Sequence, residues 1–272
     1  MQRYSVSPRE MVASVWRNRD LINMMVKREV LGRYRGSLLG ILWSFFNPVF
    51  MLAVYTFVFS VVFKARWNAA SESRVEFALV LFVGLIVFNL FAECVNRSPG
   101  ILLANVNYVK KVVFPLEILP WVTLGAALFH ALVSLVVWLV AHIIFIGAPP
   151  VSGLLLPLAL VPLVMLIMGI SWGLASLGVY LRDVSQFIGV LTTVLMFLSP
   201  IFYPASALPE EYRDFLLLNP LAPAIEQARD MLFWGKLPDA GLLAIYSLAT
   251  ALMAWLGFAW FQKTRGGFSD VL

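Results

Sequence analysis

The chain has 272 residues, 61% of them hydrophobic and 13% charged, with a formal net charge of +5. A soluble domain carries about 25% charged residues, so the composition excludes an ordinary soluble protein and leaves no room for a second, extramembrane domain. The cation excess is read as membrane topology, so no nucleic-acid partner is expected. The single cysteine, Cys94, excludes an intrachain disulfide.

Residues 1–35 hold eight basic residues and no uninterrupted apolar core, which argues against a cleavable signal peptide. Ser7-Pro8-Arg9-Glu10 predicts a helix start, with Ser7 as the cap, Pro8 in the first turn and Glu10 reaching back to complete a capping box. Met11, Val12, Val15, Trp16, Leu21, Ile22, Met25 and Val26 then alternate with Arg9, Arg17, Arg19, Lys27 and Arg28. This predicts a cytoplasmic amphipathic segment lying among lipid headgroups, divided in two near Asn18 and Asp20. Gly32, Gly36 and Gly40 step by four and predict a close-packing helix face.

A bilayer-spanning helix needs about 20 apolar residues. Ile118 to Leu181 is a run of 64 residues without Asp, Glu, Lys or Arg, enough for two spans broken near Gly147-Ala148-Pro149-Pro150. The charge-free stretches 36–63, 185–209 and 240–262 each hold one span. The stretch 77–92, completed by Glu93 and Cys94, holds another. The expectation is an all-α, six-span membrane protein forming a single domain, 1–272. In the first span Trp43, Phe46, Phe50 and Phe57 fall in one arc at about 100° per residue, and Pro48 should bend the helix. Residues 98–113, between Pro99-Gly100 and Pro115, predict a short cytoplasmic helix carrying Lys110 and Lys111. Residues 204–239 predict two short helices, separated at Asn219-Pro220, forming an extracytoplasmic re-entrant or surface cap. With the N-terminus inside, the cytoplasmic segments hold 14 basic residues and the outer ones 6, so both termini are expected in the cytoplasm.

Enzymatic motifs are weak. Gly169-Ile170-Ser171-Trp172-Gly173 matches the serine nucleophile elbow but lies in an apolar helix, where its glycines read as a packing face. His130 and His142 lie twelve positions apart with no clear acid partner, and two His with one Cys make no metal cluster. Gly235-Lys236 is followed by Leu237, so no nucleotide-binding loop exists. No catalytic residue, metal ligand or cofactor is assigned to this chain. Asn89, Glu93 and Arg97 share a helix face, with Glu93 placed to pair with Arg97. Arg182-Asp183 fills the turn between the fourth and fifth spans. Lys27, Arg28, Arg33 and Arg35, with Glu29 among them, suit a pyrophosphate or other anionic lipid head.

Several blocks then combine: Lys27-Arg28-Glu29 through Arg33-Tyr34-Arg35, Leu42-Trp43 with Pro48, and Lys111-Val112-Val113-Phe114-Pro115 with Glu117-Ile118-Leu119-Pro120. Tyr180-Leu181-Arg182-Asp183-Val184, Ser199-Pro200-Ile201-Phe202-Tyr203-Pro204, Asn219-Pro220 and Ile225-Glu226 with Arg229 continue the series. In this order, across residues 27–230, they resemble the permeases of polysaccharide-export ABC transporters. The resemblance implies the membrane subunit of an exporter of lipid-linked polysaccharide of the undecaprenyl-pyrophosphate type, with O-antigen as the first reading. It implies a homodimer in the bacterial inner membrane, among membrane lipids, with two copies of a separate ABC ATPase that binds the ATP and Mg. Residues 98–113 would be the coupling helix, with Asn105, Tyr108, Lys110, Lys111, Arg182 and Asp183 facing the ATPase. Residues 1–35 would be the interface helix that gates substrate access, with Arg28, Arg33 and Arg35 at the pyrophosphate. Spans one and five would line the channel, with Trp43, Phe46, Phe50, Tyr55 and Phe197 as rings for sugar faces. The alternatives are a drug or small-lipid exporter of the same superfamily and an intramembrane glycosyl or acyl transferase. The transferase would need clustered acids or His at the membrane edge, where Glu93 and Asp183 look isolated.

The purified chain alone is expected to show no ATP hydrolysis, with activity appearing on addition of its ATPase partner. Hydrolysis by this polypeptide by itself would overturn that assignment.

Overall fold

A computed structural model describes residues 4–62, Trp67, 74–110 and 114–272, and the secondary structure among these residues is helical, without strands. Helix α1 (Pro8–Arg17) starts where the sequence places it: Ser7 Oγ accepts a hydrogen bond from the Glu10 amide at 3.2 Å. The capping box is not completed, because the Glu10 carboxylate instead accepts from Arg17 Nη2 at 2.6 Å. Asn18 separates α1 from α2 (Arg19–Arg33), its side-chain amide donating to the Ser14 carbonyl at 2.8 Å.

α2 packs along α6 (Leu119–Phe145), burying Ile22, Met25 and Val30. Gly125 makes the seat: a Cβ there would stand 2.5 Å from the Val26 side chain. The expected glycine face is not formed. α2 stops at Arg33, and Gly36 and Gly40 adopt φ of 85° and 53°, a left-handed geometry that glycine adopts without a Cβ clash. A Cβ on Gly32, Gly36 or Gly40 would meet nothing within 4 Å. The spacing of four assumed an unbroken helix, whereas the latter two glycines turn the chain into α3 (Trp43–Tyr55).

Five stretches among the described residues are long and apolar enough to cross a membrane: Gly40–Phe59, Val75–Gly100, Leu116–Phe145, Val151–Tyr180 and Ala240–Val271. A sixth apolar helix, Val184–Leu198, has only 15 residues. At 1.5 Å per residue it reaches about 22 Å, short of the roughly 30 Å hydrocarbon core. The expected span over 185–209 therefore ends early, where Ser199-Pro200 turns the backbone; proline cannot donate the next hydrogen bond, and the residue before it is driven out of the helical region. About six spans remains the architecture.

The central helix, α4 (Arg74–Arg97), is covered by α6, α7 (Leu156–Tyr180) and α8 (Val184–Leu198). α5 (Val106–Lys110) follows it on the short segment after Gly100. α9 (Glu210–Leu218) and α10 (Ala222–Leu232) form the expected pair before α11 (Ala240–Thr264), and a short α12 (Phe268–Val271) ends the chain. α10 is embedded against α4 and α7. Its Arg229 is completely buried, donating from Nε to Val80 O at 3.1 Å, from Nη2 to Ile201 O at 2.8 Å, and from Nη1 to Pro200 O. Gly84 leaves the room, since a Cβ there would lie 2.7 Å from Arg229 Nη2. The guanidinium also stands 4.4 Å from the centre of the Trp67 ring. Burial pulls its pKa down to about 10, so it stays charged at neutral pH.

α11 lies along α7 at backbone contact distance. A Cβ on Gly257 would run into the Gly169 backbone, and one on Gly169 would sit 2.6 Å from Met253 O. Gly173, the other half of the expected packing face, has nothing within 4 Å. Close helix approach through small residues is the main packing device in lipid, where apolar burial between helices gains little.

Gly257→Leu should therefore separate α7 from α11 and lower thermal stability in detergent by about 3 kcal/mol or more, with reduced membrane levels. Gly173→Ala should be neutral or stabilising by about 0.5 kcal/mol. Equal tolerance of both changes, by fluorescence melting, would contradict the glycine contact.

Candidate functional site

The end of α2, α3, α4 and α6 enclose a half-open cavity of about 930 Å³. α2 delivers Glu29 and Arg33 to it, with Tyr34 just past its end, α4 delivers Glu93 and Arg97, and α6 delivers His130. These side chains alternate in charge. Arg97 Nη2 donates to Glu29, and Arg33 Nη1 donates to Glu93 Oε1 at 2.5 Å. Arg97 Nη1 lies 3.7 Å from Glu93. The helix spacing foresaw that last pair, but it is the loosest of the three. Both residues find nearer partners on α2, on a separate stretch of chain.

His130 also has an acid. Its Nδ1 lies 3.0 Å from Glu93 Oε2, and its Nε2 lies 3.2 Å from the Tyr34 hydroxyl. With the proton on Nδ1, the ring donates to Glu93, and neutral Nε2 accepts from Tyr34. Arg33 Nη1, at 3.2 Å from the same Nδ1, cannot then donate to it. The reading of His130 as unaccompanied, and of Glu93 as isolated, is corrected on this geometry: partners on neighbouring helices leave no trace in sequence spacing. His142 instead faces the Gly147 carbonyl at 2.9 Å, a turn at the end of α6.

The three arginines assigned to a lipid head have different settings. Arg28 Nη1 donates to the Tyr108 hydroxyl at 3.0 Å, and Arg33 is held by Glu93. Arg35 is exposed and has no side-chain partner among the described residues.

In the segment expected to couple to a partner, Ile101 and Leu102 are buried and Gly178 of α7 closes against the Pro99 backbone. The helical part is short: a 3-10 turn, then α5. The Asn105 amide turns inward to the Ile101 carbonyl at 2.8 Å, and Tyr108 stacks on Phe114 with ring centres 4.4 Å apart. Lys110 is exposed, as are Arg182 and Asp183 in the turn from α7 to α8. Lys111 lies outside the described residues.

Trp43, Phe46 and Phe50 are exposed on α3, and Phe197 on α8. Tyr55 is half-buried on the wall of the cavity. Phe197 stacks on Phe202 at 5.8 Å, and Phe202 on Phe59 at 5.9 Å, so Phe202, just past α8, links a ring of the first span to one of α8.

A second buried charge centre escaped the sequence reading. Glu117 Oε2 accepts from Arg265 Nη1 at 2.6 Å, and its Oε1 accepts from Ser14 Oγ at 2.9 Å. Arg265 Nη2 also donates to Phe114 O at 2.7 Å, and Trp172 Nε1 to Glu117 O at 3.0 Å. This joins α1, the turn before α6, α7 and the turn after α11. The only available signal was one carboxylate at the edge of a charge-free run. Among the described residues, no three His, Cys, Asp or Glu stand together as metal ligands.

Among the described residues the body is helical, with a polar cavity set between apolar helices long enough to cross a membrane. The chain belongs to the family described as ABC-2 type transporter, which matches residues 20–233. It is similar to the O-antigen export system permease protein RfbA of Myxococcus xanthus, 27% identical over 96% of this chain and 98% of that protein. RfbA of Klebsiella pneumoniae is 26% identical over 93% and 95%. The polysialic acid transport protein KpsM of Escherichia coli is 25% identical over 89% and 92%.

Removing one member of the buried pair should be costly. Arg265→Met strands Glu117 and is expected to destabilise the protein by about 3 kcal/mol. Adding Glu117→Gln should recover part of that loss, as a double-mutant cycle on melting temperature would show. Additive losses would mean that the two side chains do not interact.

Proposed function

We propose that this chain is the membrane subunit of an ABC exporter that moves lipid-linked polysaccharide across the bacterial inner membrane. The chain acts as a homodimer and carries no cofactor of its own. Two copies of a separate ATPase bind ATP and Mg, and both termini lie in the cytoplasm. The observation that carries this reading is the near full-length similarity to permeases named for O-antigen export and polysialic acid transport. The geometry agrees in three respects. Exposed aromatic rings on α3 and α8 offer apolar planes to sugar faces. The basic end of α2 opens onto a cavity of about 930 Å³, on the scale of a small-molecule site. Lys110 at the end of α5 and Arg182 and Asp183 in the turn from α7 to α8 are all exposed, and so are open to an ATPase.

In this reading Arg35 meets the pyrophosphate first, because it alone of the three arginines is exposed and without a protein partner among the described residues. Arg28, bonded to Tyr108, joins the access helix α2 to the coupling segment, so a displacement of α5 by the ATPase would pull on α2. The sequence assignment of Arg28 to the lipid head thus becomes a mechanical one. Export of a drug or small lipid gains no comparable support from the relatives.

Arg35→Lys keeps the charge and the topology but loses the planar two-donor match to phosphate. Surface polysaccharide in complemented null cells, at matched membrane levels, should fall several-fold with Lys and further with Gln. Full export by the Lys variant would reduce Arg35 to an orientation signal.

A further inference from the structure

The cavity has a composition that a simple anion trap would not have. Its two arginines, Arg33 and Arg97, face two glutamates, Glu93 and Glu29, so an arriving anion finds the cations already engaged. We propose that Glu93 is an internal competitor. It occupies Arg33 while the cavity is empty, and a pyrophosphate group displaces it, so the group is held weakly enough to be passed on. This rests on the access role proposed above for the end of α2.

Three features of the geometry support the exchange. The Arg33 bond to Glu93 uses Nη1 alone, and 53% of the arginine side chain is exposed. The remaining donors of the planar fork stay open to a phosphate, which pairs with two at once. Glu93 is well covered, 19% exposed, so leaving it unpaired would cost far more than losing a surface contact. It would not be left unpaired, because His130 Nδ1 at 3.0 Å keeps its hydrogen bond to Glu93 and the Arg97 guanidinium, with Nη1 at 3.7 Å, is in place to take over its charge. Finally, the cavity's 930 Å³ has space for the diphosphate and adjoining groups, with the neutral side chains of Asn47, Asn89 and Ser134 on its walls. A transport site must bind tightly enough to admit its cargo and loosely enough to release it. An acid that returns to the arginine drives that release.

The test uses the complex of this chain with its ATPase in discs of neutral phosphatidylcholine. The probe is labelled farnesyl pyrophosphate, and the competitors are inorganic pyrophosphate and phosphatidylglycerol. Glu93→Gln removes the competing charge and should tighten probe binding about tenfold while lowering export in complemented cells at least twofold. A gain of affinity is not an outcome that general damage to the fold produces. Arg33→Gln should abolish the binding. Glu93→Asp keeps the charge on a shorter arm and should give an intermediate gain, which covers the case of Gln failing to fold. Affinity unchanged or weakened in a folded Glu93 variant overturns the proposal. Inorganic pyrophosphate should displace the probe and phosphatidylglycerol should not. Failure of the first means that the chain and not the head is held, and success of the second means that any anionic phospholipid serves; either overturns it. The underlying functional reading fails separately, if the wild-type chain does not restore surface polysaccharide to the null strain.

Discussion

A charge withdrawn from water must find a partner, and in this chain that requirement decides which distant segments meet. Arg265 reaches Glu117 across 148 positions, Arg229 reaches Val80 across 149, and Arg33 reaches Glu93 across 60. Apolar packing specifies less, because lipid tails are as apolar as the helices they surround. The polar links and the glycine contact between α7 and α11 therefore fix the arrangement. Leucine-rich surfaces alone would allow helices to slide or rotate.

The same links give α2 its position. Its apolar side is seated on α6 by Ile22, Met25 and Val26, with Gly125 making room. Arg28 is bonded to Tyr108 beyond α4, and Arg33 and Tyr34 are bonded to Glu93 and His130. One helix thus touches the segment ending in α5 through Arg28 and the cavity through Arg33 and Tyr34. Its outward face keeps Met24 and Leu31 exposed, so it retains an apolar edge. These three contacts together, more than the count of basic residues, distinguish α2 from a loose headgroup-binding leader.

What was legible in the sequence was local. Charge-free runs located the spans because a single charge in hydrocarbon is costly. Ser7 before Pro8 located the start of α1, and Asn18 its break from α2. Three of the failures share one cause, the assumption that sequence spacing fixes neighbours. Gly36 and Gly40 matched a helix face only if the helix continued, and it does not. Glu93 matched Arg97 by the i,i+4 rule, yet both found nearer partners on α2. His130 had no acid within its own helix and finds one on α4. The fifth span was read through Ser199-Pro200, where the structure turns and lets Pro200 and Ile201 carbonyls receive Arg229. Arg229 itself was visible as a motif residue, but its role as the buried anchor of α10 depends on carbonyls from two other segments.

The central claim is that this chain forms an ATP-driven path for a lipid-linked polymer. It is tested most directly by reconstituting the chain with its ATPase in liposomes carrying lipid-linked polysaccharide on the ATPase side. The polymer's exposure to a glycosidase on the opposite side is then followed. The account predicts exposure only when both subunits and hydrolysable ATP are present. Exposure independent of ATP, or none while ATP is being hydrolysed, would contradict it.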